Sequence, residues 1–266
     1  MNEINGKRIY YFTVATKPHP GLDMLRATCQ HHDVYLDVHG MSDQRLQNWG
    51  DNLWVKLDYL SNILKGLSSD TIVLFTDAYD VLCGAPLSLV VQRFLKFNHP
   101  IVFSAENNCF PEEFKDTYTA QQRALLFPYL NSGTMMGYVW AFRDMLKRLP
   151  NYKSTGNDQK YCQLARQKIP DLIILDHQNE LFVCAANVPH QRFQFRNGHL
   201  YYTLPSGETK NVGFLHVNGR KHDLPNLYKR WKKSIGNSRL WVRWYSGAVI
   251  LLVIFVLILV LKHKSK

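Results

Sequence analysis

Asp77 and Asp80 stand three residues apart in Asp77-Ala78-Tyr79-Asp80, directly after the apolar, β-branched run Thr71 to Phe75. A run of that kind reads as a strand buried on both faces. Ligands of open α/β sheets bind in the crevice outside the carboxyl ends of the strands. Two carboxylates there can hold a hard divalent cation, and the cation can clamp a diphosphate. Aspartate also caps turns without any ligand, and this segment alone leaves both readings standing. His216, near the end of the run Val212 to Val217, could complete an oxygen, oxygen, nitrogen set suited to Mn²⁺ or a comparable divalent ion. Such an ion neutralises charge on a departing diphosphate, the main electrostatic task in glycosyl transfer from a nucleotide sugar. The chain has 11 histidines, however, and a lone histidine is more often structural or simply exposed.

Asn131-Ser132 and Asp158 form a further polar cluster at strand ends. Asp158 could bind sugar hydroxyls or serve in acid/base work; an acid in the first turn of a helix is also favoured by the macrodipole alone. Tyr79 could stack on the base of a nucleotide or pack in the core. Lys221 could support the diphosphate or, beside Arg220, begin a basic belt. Phe110, followed by Pro111, could wall an acceptor or fill the core. There is no G-x-G-x-x-G, no P-loop and no G-x-S-x-G, which leaves dinucleotide, P-loop and nucleophile-elbow chemistry without support. Five dispersed cysteines without C-x-x-C read as free, buried thiols.

The elements that must position these residues alternate. Strands are expected over 9–15, 34–38, 71–75, 101–105, 129–138, 172–175, 181–185 and 212–217, with a hairpin over 193–203 around Arg196-Asn197-Gly198. Helices are expected over 22–31, over 53–67 from the leucines on one face, from Pro86 to Phe97, over 139–149, and over 158–168 behind an Asn157 N-cap. This alternation predicts an α/β fold, a mostly parallel Rossmann-type sheet flanked by helices on both faces.

Charge is unevenly distributed. From Arg220 to Lys266, 11 Lys and Arg face one acid, Asp223, whereas the preceding body has 21 basic and 20 acidic residues. The basic balance therefore describes a belt (Lys229, Arg230, Lys232, Lys233, Arg239, Arg243) suited to anionic headgroups, and no nucleic-acid partner is expected. Ser246 to Leu261 is uncharged and almost wholly apolar. With Trp244 and Tyr245 it would make roughly 27 Å of helix, enough for a thin bilayer. The expected organisation is a catalytic domain over 1–225, a basic juxtamembrane segment over 226–243, a transmembrane helix over 244–261 and a basic tail over 262–266. The opening segment MNEINGKRIYYF lacks an apolar signal-peptide core. A single-pass, C-terminally anchored endomembrane protein (ER or Golgi type) is expected, and the flanking charge favours a cytosolic body.

Thr13-Val14-Ala15-Thr16-Lys17, Phe75 to Val81, Phe103-Ser104-Ala105-Glu106, Cys109-Phe110-Pro111, Tyr129 to Gly133, Asp158-Gln159, Leu175-Asp176-His177, Tyr202 to Pro205 and His216 with Asn218-Gly219 occur in one order across about residues 10 to 225. In these blocks the chain resembles the glycosyltransferase domain of the procollagen lysyl hydroxylase/glycosyltransferase (PLOD) family. The resemblance implies a GT-A-like fold and a UDP-sugar donor, UDP-glucose or UDP-galactose. The acceptor it implies is a hydroxyl of collagen-type hydroxylysine, its galactosyl derivative or another glycan. It further implies Mn²⁺ on Asp77, Asp80 and His216, Tyr79 near uracil, and the segment Thr13, Val14, Thr16 beside the uridine. Trp49 and Lys56 would serve donor binding, while Asn131 and Asp158 would face sugar and acceptor. The sequence also departs from the family pattern. No hydroxylase chemistry is expected from these residues, the acidic run before Asp-Gln is reduced to Gly156-Asn157-Asp158, Phe110 stands where the family usually has Trp, and the family's His-Gly-Asn-Gly-Pro becomes His216-Val217-Asn218-Gly219-Arg220. The weakened acidic run motivates an alternative, a catalytically degenerate transferase fold acting as a membrane-tethered binding module.

Overall fold

In the computed structural model, which describes residues 1–46 and 53–236, the chain begins with β1 (Asn2–Ile4) and β2 (Lys7–Val14). Asn5 and Gly6 join them at positive φ, as a tight hairpin turn requires. Helix α1 (Pro20–His31) starts with Pro in its first turn, and His19 Nδ1 accepts the Gly21 N–H at 3.0 Å. β3 (Asp37–His39), α2 (Val55–Lys65), β4 (Ile72–Thr76) and β5 (Val81–Cys83) follow, then α3 (Leu87–Phe97), which Asn98 ends in the left-handed region. Next are β6 (Ile101–Glu106), the short α4 (Ala120–Arg123), β7 (Tyr129–Tyr138), α5 (Val139–Arg148) and α6 (Asp158–Lys168). Asn157 caps α6, accepting from the Gln159 and Lys160 amides. The chain then forms β8 (Ile173–Asp176), β9 (Phe182–Cys184), β10 (Phe193–Arg196), β11 (His199–Thr203), β12 (Thr209–Asn211), β13 (Phe214–His216) and a helix α7 over 224–236.

The main sheet runs β1–β2–β4–β7–β6–β8, with β3 sharing the β2 edge. It is α/β as expected but mixed, which corrects the mostly parallel arrangement. β2 is parallel to β3 and β4, and β6 to β8, whereas β7 runs antiparallel to both its neighbours β4 and β6. A parallel neighbour needs a crossover element packed on the sheet. Between β6 and β7 the only α-helix is α4, which buries no residue, so the chain turns back antiparallel.

Alternation along the strands sorts the core into two layers. Val73, Phe75, Phe103 and Met135 face α2, α5 and α6, whereas Ile72, Leu74, Val102 and Met136 face α1 and α3. A second, small sheet places β13 between β5 (antiparallel) and β9 (parallel). The expected hairpin is β10–β11, turning through Asn197 and Gly198 at φ 51° and 81°. Helix α7 buries Leu224, Leu227 and Trp231, and Trp231 Nε1 donates to Gly198 O at 3.0 Å. The folded body thus continues past residue 225. Among the described residues no helix is long and apolar enough to cross a membrane. Trp49, Arg239, Arg243, the expected span over 244–261 and the tail over 262–266 lie outside the described residues.

Candidate metal centre

Two sheets meet at the aspartate pair. Asp77 and Asp80 occupy the link from β4 to β5, and pairing of β5 with β13 sets His216 opposite Val81, the residue after Asp80. Backbone bonds lock the link at both ends: Asp77 N–H donates to Gly133 O and Val217 N–H to Asp80 O, each at 2.7 Å. One ligand atom each from Asp77, Asp80 and His216 therefore lies within 4.8 Å of the others. His216 Nε2 is 3.6 Å from Asp77 Oδ2 and 3.5 Å from Asp80 Oδ1. β7 supplies the fourth wall. Opposite Phe103 and Ser104 its pairing jumps from Met135 to Asn131, a bulge that frees Ser132 to Thr134 from β6 and brings Ser132 and Gly133 against the centre. A Cβ at Gly133 would lie 2.2 Å from His216 Cε1 and 2.9 Å from Asp77 Oδ2. Two carboxylates and an imidazole nitrogen around a space that glycine keeps clear fit a divalent cation.

Electrostatics follow from burial, since Asp80 and His216 are each 3 % exposed. Burial alone would raise the Asp80 carboxyl; the charge and hydrogen bond of His216, with Lys221 and Lys56 beyond, override it and hold the group down at about 2. Burial likewise opposes protonation of His216, and the Asp80 charge overrides it, so the imidazole is held well above its ordinary value. Burial pushes the neighbouring Cys184 thiol up, which keeps it neutral and outside the ligand set.

Most of the residues singled out in the sequence converge here. Lys56 Nζ bridges Asp77 Oδ1 at 2.7 Å and Asp158 Oδ2 at 3.3 Å. Burial works against the Lys56 charge, but Asp158 and Asp77 overcome it and hold the ammonium above the usual lysine range. Asp158 Oδ2 also accepts from Ser132 Oγ at 2.9 Å. Lys221, largely exposed, sets Nζ 3.7 Å from Asp80 Oδ2. Asn131 lies behind His216: its Oδ1 is 3.0 Å from His216 Nδ1 and accepts the Gly133 N–H at 2.9 Å, while its Nδ2 donates to Glu106 Oε1 at 2.8 Å.

Tyr79 and Thr16 form an adjoining corner. The Tyr79 hydroxyl accepts the Thr16 N–H at 2.6 Å and the Lys17 N–H at 3.0 Å, and its ring lies 4.6 Å from that of His19. The Thr13 and Val14 side chains are not in this corner. Thr13 Oγ1 donates to Thr76 O at 2.7 Å and Val14 packs in the core. Phe110 is 56 % exposed rather than core. Glu106, Gln159 and Asn218 carried no assigned role in the sequence, yet they join the centre. Asn218 Nδ2 donates to Glu106 Oε2 at 2.8 Å, and Gln159 Oε1 accepts the Ser132 N–H at 2.6 Å. The available signal was a carboxylate ending the apolar run of β6.

The PLOD GT domain profile matches residues 5–233. A Drosophila melanogaster procollagen-lysine,2-oxoglutarate 5-dioxygenase is 28% identical over 160 residues, 58% of this chain and 22% of the relative. A Caenorhabditis elegans multifunctional procollagen lysine hydroxylase and glycosyltransferase is 30% identical over 161 residues, 56% of this chain and 21% of the relative. The matches thus span about a fifth of those proteins. A solved glycosyltransferase involved in the glycosylation of the major capsid of PBCV-1 aligns at 11% identity with a TM-score of 0.48, over 83% of this chain and 98% of that one, a likeness too slight to build on. By the extent of the profile match, the chain belongs to the PLOD GT domain family of glycosyltransferases.

Proposed function

We propose that this chain is a metal-dependent hexosyltransferase that moves glucose or galactose from a UDP-sugar to a hydroxyl acceptor, hydroxylysine or galactosyl-hydroxylysine of a collagen-like protein. The observation that carries this reading is the convergence of Asp77, Asp80 and His216, with ligand atoms within 4.8 Å, in a space that Gly133 leaves open. Mn²⁺ or another divalent ion held there supplies charge neutralisation for the diphosphate leaving group. Lys221, 3.7 Å from Asp80, adds an exposed cation at the rim. Tyr79, with its hydroxyl anchored to the Thr16 and Lys17 amides, offers a ring face for the base. Asp158, held by Lys56 and Ser132, presents a fixed carboxylate for sugar hydroxyls or for acid/base work. Excluding water and fixing donor against acceptor supply much of the remaining rate gain. The uncharged segment over 244–261 would tether the domain to an endomembrane.

The test is donor hydrolysis and transfer by the detergent-solubilised full chain with UDP-glucose and UDP-galactose, with and without Mn²⁺. The expected result is Mn²⁺-dependent turnover of one donor, reduced about 100-fold or more by Asp80→Asn. Undiminished turnover by that variant, or in the presence of chelator, would contradict the reading.

A further inference from the structure

We propose that Asn131, held in one orientation by Glu106, is a positioning residue that fixes the proton of His216 on Nδ1 and so turns the Nε2 lone pair toward Asp77 and Asp80. This inference rests on the metal reading above and extends it to two residues that would touch neither the ion nor the sugar.

An amide has an acceptor end and a donor end of nearly equal size, and only its partners decide which way it points. Asn131 Oδ1 receives the Gly133 N–H at 2.9 Å, and a backbone amide can only donate. Asn131 Nδ2 lies 2.8 Å from Glu106 Oε1. Glu106 Oε2 in turn receives Asn218 Nδ2 at 2.8 Å, and Asn218 is itself oriented because its Oδ1 accepts the Ala186 N–H at 3.2 Å. With donors at both oxygens, Glu106 accepts at both, as a carboxylate does. Turning the Asn131 amide over would set N–H against N–H at Gly133 and oxygen against oxygen at Glu106. Both clashes are buried, Asn131 being 7 % and Glu106 6 % exposed, so neither is relieved by water.

Asn131 Oδ1 also takes the Ser104 hydroxyl at 3.4 Å, and it lies 3.0 Å from His216 Nδ1. Facing an acceptor, that nitrogen must carry a hydrogen. A neutral imidazole has one N–H, so the other nitrogen, Nε2, is the one left with a lone pair. Nε2 is also the atom 3.5 and 3.6 Å from the two aspartates. The network thus selects the tautomer that can ligate. Outer partners of this kind orient a ligating histidine and typically alter metal affinity 10- to 100-fold.

Asn131→Leu removes the acceptor, letting the proton sit on Nε2, where it competes with a cation. Glu106→Gln keeps the size but sets an NH2 group in place of one oxygen, against the donors of Asn131 and Gln159 on one side or of Asn218 on the other, so Asn131 or Asn218 must turn. The experiment is Mn²⁺ titration of the full chain in detergent at fixed pH, followed by electron paramagnetic resonance. It is read together with the electron spin-echo nitrogen modulation that reports a histidine ligand and with thermal unfolding in the absence of Mn²⁺. Expected are about 10- to 100-fold weaker Mn²⁺ binding and loss of nitrogen modulation in Asn131→Leu. Glu106→Gln should weaken binding about tenfold, with no further loss when added to Asn131→Leu, because both act through one nitrogen. Unchanged affinity and modulation in either folded variant, or losses that simply add, would overturn the proposal. Asp77→Asn separates the two levels. Abolished binding in that variant beside intact binding in the Asn131 and Glu106 variants refutes the positioning role alone. Binding that is indifferent to Asp77→Asn refutes the metal reading and this inference with it.

Discussion

Asp77 lies between Lys56 Nζ at 2.7 Å and His216 Nε2 at 3.6 Å. Removing Lys56 would leave the buried Asp158 carboxylate without its ion-pair partner and take from the partly buried Asp77 its shorter ion pair. Lys56→Met should therefore cost about 3–5 kcal/mol, read as a drop in unfolding temperature that added Mn²⁺ partly restores by replacing the lost charge at Asp77. Protonation gives a second prediction. The raised folded pKa of His216 means its imidazolium contributes stability that is fully present below the unfolded value of 6.5 and is lost as pH rises through the folded value. Because a ligating histidine must give up that proton, Mn²⁺ affinity should rise with pH by up to about tenfold per unit below the folded pKa; Mn²⁺ titrations across a pH series check the slope. A third concerns space. Gly133→Ala would drive a methyl to within 2.9 Å of Asp77 Oδ2 and closer still to His216, so it should abolish Mn²⁺ binding while circular dichroism shows the fold retained. At this scale the sequence was legible where chemistry has a spacing. The pair Asp77 and Asp80 at a strand end announced itself. Glu106 and Asn131 were not legible as partners of His216, because an amide and a buried carboxylate 25 residues apart have no pattern until β6 and β7 pair.

The elements explain why those residues meet. β4 was readable from five buried, mainly apolar residues, and α6 from its cap and helical spacing. Neither the bulge in β7 nor the short β5 was readable. Each is fixed by a neighbour far along the chain, β5 by β13 and the bulge by β6. The antiparallel course of β7 escaped for the same reason: a ten-residue strand looks alike in either direction. Helix α6 carries Asp158 as its first residue, directly behind the Asn157 cap. Asn157→Ala should lower stability by about 1 kcal/mol. It should also loosen Asp158 enough to reduce turnover more than it reduces Mn²⁺ affinity, a split that kinetics and metal titration on the same sample resolve.

For the whole molecule, the centre sits where the main sheet hands the chain to the small β5–β13–β9 sheet, so the donor set forms only when both sheets are assembled. That dependence explains how composition and periodicity could outline an α/β body yet leave the joining of Asp77, Asp80 and His216 to the resemblance. The proposed span over 244–261 makes its own prediction: the full chain stays with membranes through alkaline extraction, and truncation after residue 243 releases it. The most direct measurement of the central claim is an anomalous-difference map from crystals of the protein grown with Mn²⁺ and UDP. The account predicts a single strong peak within coordination distance of carboxylate oxygens of Asp77 and Asp80 and of His216 Nε2, with UDP phosphate oxygens on its open side. A peak elsewhere, or UDP bound with no metal between its phosphates and these three side chains, would contradict it.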